Sequence, residues 1–138
     1  MENGRKKVHI KISGVQKSVS DEVTVQEYEG VYTVKGDSRY LQYEEITEQG
    51  SNSCLLKIVP DTVMLRKSGS LEANLLYRTG SSFTNAYNTP YGVFEMETST
   101  RRILVVDTDE GFYASVEYDV IINGTEIKDC MLTIQVCH

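Results

Sequence analysis

One stretch of the sequence decides the fold class: Phe112-Tyr113-Ala114-Ser115-Val116-Glu117-Tyr118-Asp119-Val120-Ile121-Ile122. Polarity alternates along it with a period of two, which is typical of a β-strand that buries one face. The face that we expect to be buried carries Phe112, Ala114, Val116, Tyr118 and Val120. Glu117 and Asp119 fall on the opposite face, where we expect them to be exposed to water.

The same alternation recurs along the whole chain of 138 residues, and no window carries a sustained helical stripe. Clusters of Gly, Asn, Asp and Ser separate the alternating segments and predict turns. Some neighbouring segments could be one bent strand, so we expect roughly eight to eleven strands. The segments are 7–15, 22–35, 39–48, 53–59, 62–68, 71–79, 82–88, 91–99, 101–107, 111–122 and 125–136.

The short turns leave no room for crossover helices, so the pairing should be antiparallel. Closing such a meander into a barrel hides both its apolar face and its edges. The sequence therefore predicts an all-β fold, a closed antiparallel meander β-barrel, with a β-sandwich as the alternative because alternation alone does not separate the two. Gly30, inside the segment 22–35, predicts a bend at a barrel corner. We expect residues 1–6 to form a flexible N-terminus and residues 7–138 a single domain.

Two sequence rules conflict at Asn123-Gly124. This dipeptide is typical of a two-residue type I′ hairpin, but that register would turn the apolar row Cys130, Leu132, Ile134 and Val136 outward. A three-residue loop of Ile122, Asn123 and Gly124, with Gly124 at positive φ in a G1 bulge, would bring this row to the same side as Val116. Because burying the row outweighs the simpler turn, we expect the longer loop, with Val116 opposite Cys130.

Several local stretches resemble the bacterial YwiB-like family, a domain of unknown function with a calycin-like barrel. They are Glu29-Gly30-Val31-Tyr32, Tyr40-Leu41-Gln42-Tyr43-Glu44-Glu45, Leu65-Arg66-Lys67-Ser68-Gly69 and Thr89-Pro90-Tyr91-Gly92. The resemblance implies a lipocalin-like barrel, and so favours the barrel over the sandwich, but it implies no activity. The Gly-x-Trp signature of lipocalins is not met, because Gly30-Val31-Tyr32 has Tyr in its place. The ligands of secreted lipocalins are therefore not transferred to this chain.

Composition excludes several classes of function. The formal net charge of −6 argues against binding to nucleic acid, which depends on clustered cations. The longest apolar run is Ile103-Leu104-Val105-Val106, too short to cross a membrane as a helix, and no apolar segment follows the first basic residues as in a secretory signal. Three cysteines without CxxC spacing, Cys54, Cys130 and Cys137, suit a reducing compartment. We therefore expect a cytoplasmic protein with neither nucleic-acid nor membrane partners, and we leave its oligomeric state open.

Catalytic chemistry finds little support in the sequence. Nucleophilic catalysis needs a nucleophile beside a base, usually His, and the chain has only His9 and His138. His9 alternates with Val8 and Ile10, so we expect it to face water. The motifs of P-loop enzymes, dinucleotide-binding enzymes, serine hydrolases and zinc proteases do not occur. We assign no catalytic residue, no cofactor and no metal site.

Tyrosine is the residue type that most suggests a binding site. The chain has nine tyrosines, three phenylalanines and no tryptophan, and tyrosine combines apolar area with a hydroxyl group that needs a partner. Several tyrosines pointing into a barrel would suit an amphipathic small molecule, although Tyr is also simply a favoured strand residue. An inward Arg66 could pair with a ligand carboxylate, but both faces of its strand are apolar, so its direction is left open. The candidate ligand-binding residues are Tyr32, Tyr40, Tyr43, Arg66, Tyr91 and Tyr118.

The leading hypothesis is a cytoplasmic barrel that binds a small amphipathic molecule. If tyrosines line the site of such a molecule, at least about three of Tyr32, Tyr40, Tyr43, Tyr91 and Tyr118 should border one enclosed cavity. The alternative is a structural or interaction protein whose barrel is filled and holds no ligand, since small barrels can be packed solid with side chains.

Overall fold

A computed structural model of the chain describes residues 5–48, 50–70, 72–89 and 92–138, with the backbone alone for 86–89. Within these ranges the chain forms ten β-strands and no helix that could span a membrane. The strands are β1 Lys6–Gln16, β2 Val23–Lys35, β3 Ser38–Thr47, β4 Gly50–Val59, β5 Thr62–Gly69, β6 Glu72–Arg78, β7 Ser82–Thr89, β8 Gly92–Thr108, β9 Gly111–Ile122 and β10 Thr125–Cys137.

The strands form a closed antiparallel barrel. Each strand pairs with its neighbours in sequence, and β1 pairs with β10 to close the ring. The predicted meander barrel is therefore confirmed, and the sandwich is excluded. Turns at 36–37, 60–61 and 109–110 lie at the same end as the start of β1 and the end of β10, and we call this the terminal end. The loop at 17–22 and the turn at 123–124 lie at the opposite end, which we call the far end.

The segments 91–99 and 101–107 belong to one strand, β8, and not to two. The first part of β8 pairs with β7, from Gly92 to Ser99, and the ladder with β9 runs from Met96 to Thr108. A bulge between Thr100 and Arg102 interrupts that second ladder. The strand therefore bends at the position where the sequence suggested a break.

The interior of the barrel is built by the expected alternation. Phe112, Ala114, Val116 and Val120 are buried, as predicted, whereas Tyr118 is only half-buried. Glu117 and Asp119 are also half-buried, so the prediction that both are exposed is wrong. For Asp119 the reason is an ion pair with Arg101, whose Nη1 lies 2.6 Å from Asp119 Oδ1 and covers the carboxylate.

The turn at Asn123-Gly124 has two residues, so the predicted three-residue loop is wrong. Ile122 pairs with Thr125, and φ is +48° at Asn123 and +86° at Gly124, as a type I′ turn requires. The positive φ at Gly124 is confirmed.

The register shift that the apolar rows need occurs later, inside β10. Ile127 pairs with Val120 and Cys130 pairs with Tyr118, so that residues 128–129 together face one residue of β9. Asp129 adopts φ +57° in this bulge, a conformation that Asp tolerates better than most residues. Val116 thus lies opposite Leu132 rather than Cys130, and both apolar rows face the interior.

Arg101 joins the bulges of β8 and β10 across β9. Its guanidinium lies 2.6 Å from Asp119 Oδ1 and 3.3 Å from Asp129 Oδ1. The backbone N–H of Asp129 donates a further hydrogen bond to Asp119 Oδ1 at 2.9 Å. The two irregularities are therefore tied together by one arginine and one carboxylate on the outer wall.

Gly30 on β2 lies close to both β1 and β3. A Cβ atom at this position would come within 2.6 Å of both the Gln42 carbonyl oxygen and Ile10 Cδ1. Gly30 and Tyr43 also form the last pair between β2 and β3, and beyond it Val23–Glu29 pairs, in the described ladders, with β1. We call this opening, between Val23–Glu29 of β2 and Glu44–Thr47 of β3, the seam.

The substitution Gly30→Ala tests this close approach. We expect it to lower the free energy of unfolding by about 1–3 kcal/mol, because the added methyl group meets backbone and core atoms that cannot move freely. The matched control is Gly14→Ala, whose Cβ would find its nearest heavy atom at 4.0 Å. Urea denaturation of both variants measures the difference, and equal midpoints would contradict the packing described here.

Candidate functional site

Two cations point into the barrel, Arg39 on β3 and Lys67 on β5. Their side chains are only 21% and 20% exposed. Arg66, the cation proposed from the sequence, lies on the outer wall, is exposed and donates from Nε to Asn74 Oδ1 at 3.3 Å. Val63 and Leu65 take the interior face of β5, and the strict alternation of a strand then places Lys67 inside and Arg66 outside.

Arg39 forms the floor of the barrel mouth at the terminal end. Its Nη1 and Nη2 donate to the two carboxylate oxygens of Asp107 at 2.6 and 3.2 Å. Nη1 also lies 3.4 Å from the Tyr32 hydroxyl oxygen, and the guanidinium carbon lies 4.9 Å from the centre of the Phe112 ring. Because β3 and β8 are not neighbours in the barrel, the pair of Arg39 and Asp107 spans the mouth.

A cavity of about 460 Å³ opens at this mouth, and we call it the Arg39 mouth. This volume lies within the range of ligand pockets, which is about 300–1,000 Å³. Tyr32, Asp37, Arg39 and Asp107 supply its polar side chains. Its apolar wall consists of Val34, Val59, Pro60 and Val105. The Arg39 mouth therefore joins an apolar wall to one fixed cation.

The ion pair and burial together determine the protonation states of Asp107 and Tyr32. The hydrogen bonds from Arg39 lower the pKa of Asp107 below its ordinary value, so this carboxyl is ionised at neutral pH. Burial raises the pKa of Tyr32, and the nearby charge of Arg39 opposes that shift in part. At neutral pH the mouth thus presents a paired cation and a neutral phenol.

Lys67 belongs to a second polar group, the Glu45 cluster, on the inner wall towards the far end. Lys67 Nζ donates to Glu45 Oε2 at 2.9 Å, and Asn52 Nδ2 donates to Glu45 Oε1 at 3.0 Å. The Tyr28 hydroxyl oxygen lies 3.4 Å from Glu45 Oε2, and the Ser70 hydroxyl donates to Asn52 Oδ1 at 3.1 Å. Both oxygens of this buried carboxylate therefore have partners, as a buried charge requires.

The charge state of the Glu45 cluster follows from these contacts. Burial raises the pKa of Glu45, but the hydrogen bonds and the charge supplied by Lys67, together with the hydrogen bonds from Asn52 and Tyr28, outweigh burial and lower the pKa below 4.5. Burial and the charge of Glu45 raise the pKa of Tyr28 to about 12. The cluster is therefore an ion pair with a neutral phenol at neutral pH.

The candidate tyrosines divide among several places. Tyr32 borders the Arg39 mouth, and Tyr43 is buried with its ring centre 4.5 Å from that of Tyr28. Tyr118 packs 5.0 Å from Tyr77 and borders a different cavity, of about 410 Å³, at the far end.

Of the remaining two candidates, Tyr40 is described, and it does not point into the barrel. Tyr40 lies on the outer wall, with its ring centre 5.7 Å from Lys57 Nζ, because Leu41 takes the inward position. Tyr91 lies outside the described residues. Among the described residues, Tyr32 and Tyr118 therefore border cavities at opposite ends of the barrel, whereas Tyr43 is packed in the core.

A further group of titratable side chains lies on the outer wall, around His9. His9 faces outward, as expected, with Nε2 2.6 Å from Glu27 Oε1 and Nδ1 3.0 Å from Glu29 Oε2. In the part of the chain that the structure describes, no three His, Cys, Asp or Glu side chains come together as metal ligands would.

Sequence reasoning missed Arg39, Glu45 and Lys67. Glu45 and Lys67 both lie in stretches that carry the family resemblance. The signal that could have identified all three residues is the alternation of side chains along each strand. Leu41 and Tyr43 predict the direction of Arg39 and Glu45, as Leu65 predicts that of Lys67. That signal becomes unambiguous only when one face of each strand is known to be the inner one.

The matched variants Lys67→Met and Arg66→Met test the burial of the Glu45 cluster. We expect Lys67→Met to lower the free energy of unfolding by about 2–3 kcal/mol, because it leaves a buried carboxylate without its cation. Arg66→Met removes an exposed charge and should change it by less than about 0.5 kcal/mol. Because the pKa of Glu45 is lowered in the folded state, its contribution is fully present above pH 4.5 and is lost as the pH falls through the folded pKa. Urea denaturation between pH 3 and pH 7 measures both effects, and a Lys67→Met midpoint equal to that of Arg66→Met would contradict this placement.

Comparison with known proteins agrees with the fold. Residues 8–134 match the model of a family described as "Domain of unknown function (DUF1934)". The uncharacterized beta-barrel protein YwiB of Bacillus subtilis (strain 168) is 29% identical over 113 residues, which cover 82% of this chain and 79% of that protein. The crystal structure of the ywiB protein from Bacillus subtilis superimposes with a TM-score of 0.75 at 22% identity, over 95% of this chain and 92% of that one. These matches confirm the resemblance found in the sequence, and the chain belongs to the DUF1934 family of β-barrel proteins.

Proposed function

We propose that the barrel binds a small amphipathic molecule in the Arg39 mouth. The observation that carries the proposal is a single inward guanidinium at the floor of a cavity with an apolar wall. Ligand sites typically combine a mostly apolar lining with a few fixed polar groups. Arg39 takes the role that the sequence suggested for Arg66, and Tyr32 is the candidate tyrosine that remains part of the site.

The surroundings of Arg39 support a binding role. Its guanidinium stacks over Phe112 and contacts the Tyr32 hydroxyl, so its orientation is fixed from within the barrel. A fixed guanidinium loses little freedom when it forms a new hydrogen bond, and such preorganisation favours binding. The apolar wall beside it would cover the non-polar part of the molecule.

Two further properties belong to the proposal. We propose a cytoplasmic location, which is supported by the free thiols of Cys54, Cys130 and Cys137. We also propose that the barrel is calycin-like, which is supported by the unbroken antiparallel meander of the described strands.

Native mass spectrometry of the protein purified from its own host tests the binding function. We expect a stoichiometric adduct on the wild-type chain, and its loss from Arg39→Gln. Removing a charge-assisted hydrogen-bond donor should weaken binding by about tenfold or more. Arg66→Gln is the matched control, since Arg66 is exposed on the outer wall, and it should retain the adduct. A bare mass for the wild-type protein, or an adduct unaffected by Arg39→Gln, would reject this site.

A second candidate function, association with another protein, is favoured by the seam. On its two sides Val23, Val25 and Ile46 are exposed, although most large apolar side chains of a monomer are covered. The described ladders pair Val23–Glu29 with β1 on one side only, and such a free strand edge can accept a strand from another chain.

Analytical ultracentrifugation tests whether the seam joins two copies of the chain. If it does, the wild-type protein should be a dimer, and Val25→Lys should convert it to a monomer by placing a charge in the contact. Val106→Lys is the control, because Val106 is exposed to a similar extent on β8 and away from the seam. A monomeric wild-type protein would exclude self-association through this edge.

A further inference from the structure

We propose that the polar group of the ligand is a carboxylate, and that Asp107 is an internal competitor which holds its place on Arg39 in the free protein. This inference rests on the proposed function and names the class of molecule that the Arg39 mouth would take. It also assigns to Asp107 a part in regulating the affinity of the site.

The geometry shows that a carboxylate fits the available donors. Both oxygens of Asp107 contact Arg39, at 2.6 Å from Nη1 and 3.2 Å from Nη2. This is the paired arrangement in which a planar guanidinium recognises a carboxylate. A ligand carboxylate that entered through the mouth could adopt the same arrangement once Asp107 turned away.

Arg39 also has two contacts that do not involve Asp107. The Phe112 ring lies 4.9 Å from its guanidinium carbon and the Tyr32 hydroxyl lies 3.4 Å from Nη1. Phe112 is buried in the core, and Tyr32 lines the mouth itself. The guanidinium therefore keeps its orientation when Asp107 leaves, and its donors remain directed at the cavity.

Arg39 and Asp107 are buried to different extents. Because of this difference, replacing Asp107 by a ligand carboxylate costs little free energy. The side chain of Arg39 is 21% exposed, whereas that of Asp107 is 74% exposed. An exposed carboxylate gains little from its ion pair, because water solvates it almost as well. The Glu45 cluster is different, since the Glu45 side chain is only 10% exposed and Lys67 is its buried partner. Asp107 can therefore be displaced into water, whereas Glu45 cannot.

The charge around the mouth favours a carboxylate over a dianion. Replacing Asp107 by a group of charge −1 keeps the pair with Arg39 neutral. A phosphate dianion would add a further negative charge beside Asp37, which lines the same cavity, in a chain of net charge −6. The wall of Val34, Val59 and Val105 would cover an attached alkyl or aryl group.

Isothermal titration calorimetry with decanoate and decanamide tests this inference, because the two probes share a chain and differ in charge. We expect the wild-type protein to bind decanoate more tightly than decanamide. Asp107→Asn should strengthen the binding of decanoate by about threefold to fivefold. This factor corresponds to the small free energy of an exposed ion pair, which decanoate no longer has to break. The binding of decanamide should change by less than about twofold.

Asp37→Asn is the matched control. It removes a negative charge from the same cavity, but Asp37 makes no hydrogen bond to Arg39 among the described contacts. If Asp107 competes directly, Asp37→Asn should strengthen decanoate binding much less than Asp107→Asn does. Asp107→Ala, which cannot accept any hydrogen bond from Arg39, should act at least as strongly as Asp107→Asn. Thermal denaturation of each variant establishes that it is folded.

Three results of the titrations would overturn the inference. Equal effects of Asp37→Asn and Asp107→Asn on decanoate binding would show that both act only through the electrostatic potential of the cavity. That result would overturn the role of Asp107 as a direct competitor. Tighter binding of decanamide than of decanoate to the wild-type protein would overturn the assignment of a carboxylate. No binding of decanoate to either the wild-type protein or Asp107→Asn would also overturn it. The proposed function fails separately, if the protein from its own host carries no adduct that depends on Arg39.

Discussion

A single requirement shapes this barrel: every strand must keep its apolar row on the inner side around the whole circumference. Alternation along a strand is strict, so one extra residue exchanges the two faces. The bulges at 100–102 of β8 and 128–129 of β10 supply the corrections on both sides of Tyr118. Arg101 and Asp119 hold these bulges together from outside. Without the bulge of β10, the apolar rows that contain Val116 and Leu132 could not both face the interior.

The interior that results is apolar along most of its length and charged at two places. Arg39 is paired with Asp107 at the terminal end, and Lys67 is paired with Glu45 towards the far end. Both pairs join a cation to a carboxylate, but Asp107 is exposed and Glu45 is buried. Moving the carboxylate away from its cation therefore has a different effect in each pair. A buried partner leaves a costly unpaired charge when it moves, whereas an exposed partner can exchange with water or with a ligand. The buried pair therefore stabilises the barrel, and the exposed pair is the one at which we propose that a ligand binds.

The aromatic rings determine how much open space remains. Tyr28 packs on Tyr43, Tyr32 on Phe112 and Tyr77 on Tyr118, with ring centres 4.5 to 5.1 Å apart. Tyr32 and Phe112 come from strands that are not neighbours, as do Tyr77 and Tyr118, so these contacts cross the interior and fill it. The open volume near the candidate tyrosines lies instead at the two mouths, next to Tyr32 and Tyr118. The Arg39 mouth is thus an opening next to a packed core, and Tyr32 is the one described candidate tyrosine that lines it.

The sequence by itself determined the antiparallel meander and most of the buried row of β9, because alternation and turn residues act locally. It did not determine the direction of Arg66 and Lys67, since both faces of β5 are apolar and only closure of the barrel makes one of them the inside. It also misplaced the register shift of β10, because local turn chemistry and long-range burial were both satisfied by a bulge several residues further on. The pairing of Arg39 with Asp107 was decided by tertiary structure alone. The two residues are 68 positions apart on strands that are not neighbours, and they meet only because the closed ring brings them across the same mouth.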